Sequence, residues 1–101
     1  VIAHTNHCLV PKNLDVARER PTASQQSSEN RLDRAYEMLA GSDVTVDDLI
    51  ELTRDESAIC VRPKPPMHVE SCGAAVMRPS TGDFWAVWGL PVENDYEHFT
   101  I

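Results

Sequence analysis

The residues best equipped for chemistry stand near the start of the chain, in the run His4-Thr5-Asn6-His7-Cys8. A buried asparagine amide, as expected here, offers two N–H donors without bringing a charge. At the end of a strand such a donor can stabilise the oxyanion that develops during acyl transfer, an effect worth about 3–4 kcal/mol. Asn6 is therefore the first candidate, set against an Asn that only satisfies loop backbone groups. His4 and His7 raise a metal site, but on a strand they point to opposite faces, and only Cys8 stands nearby to complete it. His7 beside Cys8 also raises a thiol nucleophile with its base. Adjacent residues on an extended chain diverge, however, and catalytic Cys/His pairs are usually distant in sequence. Cys60 and Cys72 are flanked by apolar residues and read as core thiols. Arg62 ends an apolar run just before Pro63, where it could clamp a carboxylate, orient a nucleophile or snorkel to the surface. Trp85 and Trp88 read as core residues or as part of an aromatic wall.

These side chains need elements to hold them. Val1-Ile2-Ala3 opens a short strand over residues 1–6 and reads as the end of a buried one. Residues 8–26 have little periodicity, and Pro11, Asn13, Pro21 and the polar run 22–28 mark a surface loop, with a helical turn near residues 15–20. Ser28 is then placed to cap a helix carrying Leu32, Ala35, Tyr36 and Leu39 at the i, i+3, i+4, i+7 spacing. Glu29 falls in its first turn, and Gly41 suits the position after its end. A second helix follows, with Thr45 as N-cap, Asp48 completing a capping box, Val46, Leu49, Ile50 and Leu52 on its buried face, and an end by Arg54 or Asp55.

From Ser57 onward the pattern changes to strands: residues 58–61, a loop stiffened by Pro63, Pro65 and Pro66, then residues 71–77 with Gly73 as a bulge or close-approach point. Residues 79–83 read as a hairpin connection, and Phe84-Trp85-Ala86-Val87-Trp88 as the returning strand. Over residues 96–101, Tyr96, His98 and Thr100 alternate with Glu97, Phe99 and Ile101. Two helices followed by antiparallel strands make an α+β pattern.

The chain of 101 residues allows a single segment over 1–101. Lys plus Arg number 9 against 16 for Asp plus Glu, a net charge of −7 that repels nucleic-acid phosphates and anionic lipid. No apolar run reaches the ~18–20 residues of a membrane helix. Three widely spaced cysteines form neither a disulfide framework nor a zinc knuckle, which points to reduced thiols in a cytoplasmic setting. The chain begins at Val1 rather than Met and reads as a piece of something longer.

Several strings, taken in order, resemble one family. His4-Thr5-Asn6-His7-Cys8-Leu9 is similar to the HTNH segment of the acyl-coenzyme A:6-aminopenicillanic acid acyltransferase family. Ser57-Ala58-Ile59-Cys60-Val61-Arg62 is similar to its later Ser-Ile-Cys-Arg-His strand. Gly73-Ala74-Ala75-Val76-Met77, Phe84-Trp85-Ala86-Val87-Trp88-Gly89-Leu90-Pro91 and Glu93-Asn94-Asp95-Tyr96-Glu97-His98-Phe99 resemble its closing hairpin and C-terminal strand.

The resemblance implies an N-terminal-nucleophile hydrolase with an αββα sandwich, of which this chain would be the C-terminal portion. It implies a catalytic Cys freed at a chain N-terminus, whose own α-amino group serves as base. No nucleophile in this sequence fits that role, so the Cys-bearing portion would lie upstream or on another chain. Asn6 matches the motif residue expected to donate to the oxyanion. Arg62 is the second carry-over, displaced by the intervening Val61, and a one-residue slip on a strand turns a side chain to the other face. The substrate would be a small-molecule acyl amide or acyl thioester. No cofactor or metal, no nucleic acid and no membrane is implied, and a homo-oligomer is compatible. Two readings from other classes stand beside it: a scaffold domain that uses a sheet edge or face without chemistry, and a complete cysteine hydrolase built on Cys8.

Overall fold

The computed structural model describes residues 1–10, 21–66 and 68–101. The loop and helical turn expected over residues 11–20 lie outside them. The chain divides into two compact units, Val1–Ala40 and Gly41–Ile101.

The first unit is built on helix α1, Thr22–Met38. It starts seven residues earlier than the sequence pattern predicts, at Thr22 instead of Glu29, and the polar run 22–28 is helix rather than loop. Pro21, at the N-cap with φ −53°, lends its carbonyl to the amide of Gln25 at 3.0 Å. The polar first half is held by side-chain pairs one turn apart, Gln25 to Glu29 at 3.0 Å and Gln26 to Asn30 at 2.9 Å. Glu29 therefore lies inside the helix and not in its first turn. Ser28 is not a cap either. It continues the stripe of Leu32, Ala35 and Leu39 by one turn and is fully buried, beside the buried Ala35 and Leu39. Gly41 is not the left-handed stop expected of it. The described glycines with positive φ are Gly82 and Gly89, and the Leu39 amide closes the helix on the Ala35 carbonyl.

Residues 1–6 form no strand, and Val1 and Ile2 are exposed, Ile2 to 98%. The backbone amides of Asn6 and His7 bond to a side chain of α1, so they have no ladder to join.

The second unit is α+β: helix α2, Val46–Thr53, then strands β1, Gly73–Arg78, β2, Asp83–Trp88, and β3, Glu97–Thr100. Thr45 and Asp48 form the expected capping box, each side chain taking the other's backbone N–H, at 3.2 and 2.8 Å. The helix closes at Arg54, also as expected. Arg54 donates to the carbonyls of Pro91 and Asn94 and lies over the Tyr96 ring, tying the helix end to the β2–β3 connection. Thr53 donates to the Ile50 carbonyl, so the 2.5 Å contact between its hydroxyl and that of Tyr96 is donated by Tyr96.

Residues 58–61 are a turn, not the expected strand. Asp55 captures the amides that a strand would have offered to a neighbour. Its carbonyl accepts from Ile59 and Cys60 at 3.1 and 2.7 Å, and its carboxylate from Ala58 at 3.0 Å and the Ser57 hydroxyl at 2.9 Å. Cys60 is buried as expected. Cys72 is not: it ends just short of β1, where its carbonyl extends the ladder to Gly89 while its thiol is exposed.

The three strands form an antiparallel sheet in the order β1-β2-β3. Gly73 is a close-approach point without a bulge, since a Cβ there would meet the Val87 carbonyl at 2.9 Å while the register runs unbroken from Gly73↔Trp88 to Arg78↔Asp83. Alternation divides the sheet cleanly. One face carries Ala74, Val76, Trp85 and Val87, with Val76 and Val87 buried and α2 packed on β1. The other carries Ala75, Met77, Phe84, Ala86, Trp88, Glu97 and Phe99. There Met77 is 63%, Trp88 86% and Phe99 46% exposed. The two tryptophans thus lie on opposite faces and build no common wall.

The hairpin turns at Gly82, with φ +72°, where a Cβ would sit 2.7 Å from the Ile101 carbonyl oxygen. Gly82→Ala is expected to destabilise the second unit by roughly 1–3 kcal/mol, read as a lower urea midpoint with an unchanged slope.

Candidate functional site

Asn6 is reached from α1 upward. The buried Ser28 hydroxyl accepts the backbone N–H of Asn6 at 2.9 Å and of His7 at 3.1 Å. Those two donors occupy both lone pairs, so the hydroxyl proton goes to His7 Nδ1 at 2.8 Å. Thr5 adds a fourth tie, donating its hydroxyl to the Ser28 carbonyl at 2.9 Å. Ser28 therefore holds the backbone at residues 6 and 7 through its side chain and the Thr5 hydroxyl through its carbonyl.

The Asn6 side chain is exposed rather than buried, and it is held from one side. Arg31, three residues beyond Ser28 on α1, donates through Nη2 to Asn6 Oδ1 at 3.0 Å. A guanidinium can only donate, which settles which end of the carboxamide is oxygen. The two Nδ2 hydrogens have no acceptor among the described residues. The arrangement is an uncharged donor pair with its carbonyl pinned by a cation, which polarises the amide toward donation. The expected burial is not found: Val1 and Ile2 enter no sheet, and among the described residues nothing is laid across this segment.

The neighbouring candidates separate. His4 is exposed. His7 is committed to Ser28 and is not paired with the half-buried Cys8, whose thiol lies 3.7 Å from the Val10 carbonyl. Among the described residues no three His, Cys, Asp or Glu side chains gather to hold a metal ion.

Arg62, in the second unit, follows a turn and not a strand. It does clamp carboxylates, but those of its own chain: Nε meets Glu56 Oε1 at 2.7 Å, and Nη1 meets Glu93 Oε1. The hydrogen bonds to Glu93, then Glu56, hold its guanidinium charged well above the ordinary range. It borders a cleft of about 370 Å³ with Cys60 and Lys64.

One cluster escaped the sequence reading. On the α2-facing side of the sheet, Asp83 receives His98 Nε2 at 2.8 Å, Arg78 Nη2 at 2.8 Å and the Thr81 hydroxyl. The His98 ring stacks on Trp85 at 4.7 Å with 7° between planes, and Arg78 lies 5.4 Å from the Trp85 centroid. The alternation of Tyr96, His98 and Thr100 was visible, but only the register Trp85↔His98 brings them together. Hydrogen bonds from Thr81, Arg78 and His98 hold the Asp83 carboxyl well below the usual carboxylate range.

No family model matches the chain, and neither do any curated proteins or solved structures. No described helix is long and apolar enough to cross a membrane.

Two outcomes are expected here. Ser28→Ala leaves two backbone amides without their acceptor, which costs about 1–3 kcal/mol and appears as faster hydrogen exchange at Asn6 and His7. Asp83 is depressed in the folded state, so its contribution to stability is present above the unfolded value near ~4 and is lost as pH falls below it. Thermal midpoints of wild type should therefore fall below about pH 4 more steeply than those of Asp83→Asn.

Proposed function

We propose that this chain is the C-terminal portion of an N-terminal-nucleophile amidohydrolase or acyltransferase acting on linear amide C–N bonds, with Asn6 as its oxyanion donor. The observation that carries the reading is the Asn6 carboxamide, pinned at its oxygen by Arg31 and left with both N–H groups to give. The reaction begins when a Cys sulfur outside this chain attacks the acyl carbonyl carbon. The carbonyl π electrons move to oxygen, and Asn6 Nδ2–H groups stabilise the resulting charge. The thiol proton passes to the α-amino group of that Cys, and collapse of the tetrahedral intermediate breaks the C–N bond as the same proton is returned to the leaving amine. The acyl thioester then passes to water or to another amine.

In this reading the exposed apolar side of the sheet, with Met77, Trp88 and Phe99, is where the remaining part of an αββα sandwich lies. The exposed face favours an incomplete sandwich over a self-contained scaffold domain, whose core would be closed. Arg62 has a supporting place in it, as the ionic tie between Glu56 and Glu93, and does not act on substrate.

The test is expression of tagged chain in its native cells, followed by amide turnover in the assembly that co-purifies. Asn6→Ala should lower kcat by about 10²–10³-fold with little change in KM. Arg31→Ala, which acts through Asn6, should cost less. Turnover by the isolated chain, or an active assembly indifferent to Asn6→Ala, would overturn the reading.

A further inference from the structure

Two of the three cysteines flank one backbone pair. The Ser71 amide donates to the Val61 carbonyl at 2.8 Å, and the Val61 amide donates to the Ser71 hydroxyl at 2.9 Å. That hydroxyl also reaches the Ile59 carbonyl at 3.5 Å. The chain returns from Val61 to Ser71, so residues 59–61 run antiparallel beside the extension of β1, and Cys60 stands opposite Cys72. Opposed positions next to a bonded antiparallel pair lie roughly 4.5 Å apart at Cα. A disulfide spans ~4.4–6.8 Å between the same atoms.

Alternation places both thiols on one side of the sheet. Cys72 shares its parity with Ala74 and Val76, on the side packed by α2. Cys60 is only 4% exposed, while the opposite side is open around Met77, Trp88 and Phe99, so the Cys60 thiol belongs to the α2 side as well. Along that side exposure rises from the buried Val76 through Ala74 to Cys72 at the rim. Cys72 is therefore the thiol that solvent reaches. Cys60 lines the cleft of about 370 Å³ beside Arg62, which gives its sulfur room to turn.

We propose that Cys72 and Cys60 are a reversible oxidative pair, with Cys72 the peroxide-reactive thiol and Cys60 the resolving one. The oxidant is a hydroperoxide. The Cys72 thiolate attacks its terminal oxygen, the O–O bond breaks, and Cys72 becomes a sulfenic acid while the remaining oxygen takes a proton and leaves as water or an alcohol. The Cys60 thiolate then attacks the Cys72 sulfur, the S–O bond breaks, and the released hydroxide takes a proton as water. In sum two thiols give two electrons and two protons to one peroxide. A low-molecular-weight thiol reverses the bridge by exchange. The bridge closes the loop 61–71 and staples the turn leading into Arg62 to the end of β1. It lies wholly in the second unit and does not involve Asn6, so it stands apart from the enzyme reading.

The test treats the reduced full chain with a few equivalents of hydrogen peroxide and digests it without reductant. A peptide linking Cys60 to Cys72 is expected, and dithiothreitol should release it. Closing a loop of this length should raise the thermal midpoint of the oxidised chain by roughly 5–10 °C. Cys8→Ser should behave as wild type. Cys72→Ser, at an exposed position, should lose both the link and the rise in midpoint. A link through Cys8, a dimer joined at Cys72, free thiols throughout, or sulfinic acid at Cys72 beside an unmodified Cys60 would each overturn the proposal.

Discussion

The hydroxyl of Ser28 accepts two backbone amides that lie more than twenty residues away in sequence and donates its own proton to an imidazole. A buried hydroxyl used to full capacity is a fixed point, since none of its partners can leave without an unsatisfied polar group remaining behind. The segment at residues 5–7 belongs to no helix or strand. Its geometry is borrowed from α1, which supplies Ser28 for the backbone and Arg31 for the side chain of Asn6. Both come from one helix, which holds the exposed Asn6 at its backbone and at its side-chain oxygen.

The second unit is governed by a different constraint, the period of two along a strand. Alternation sends Val76 and Val87 to the side packed by α2, and Met77, Trp88 and Phe99 to the other. Small charges of context then complete each side. Asp83 gathers Arg78, Thr81 and His98 beside Trp85. Glu97 stands alone on the apolar side. The two sides of the sheet thus differ, one packed by α2 and the other open around Met77, Trp88 and Phe99.

Much of the second unit was legible in the sequence, because its signals are local. Thr45 and Asp48 form their capping box three residues apart, and the hairpin at Gly82 follows from a turn that only glycine enters without strain. Residues 58–61 misled, since an apolar run of that length suits a strand equally well. Asp55 diverted their amides into a turn, and the Asp-x-Ser spacing of Asp55 and Ser57 was the available sign. In the first unit Ser28 looked like a cap because serine so often is one. Its place one turn before Leu32 on the apolar stripe was the clue that it belonged inside.

By itself, then, the sequence determined the α+β class, the α2 helix with its cap, the hairpin and the alternation of the sheet. These rest on contacts within a few residues, where spacing and chemistry coincide. Only the tertiary structure decided that Asn6 is exposed and held by Arg31, that His7 serves Ser28 and not Cys8, that Arg62 is held by Glu56 and Glu93, and that Trp85 meets His98. Each of those depends on strand register or on helix rotation, and a single-residue change in either exchanges one set of neighbours for another.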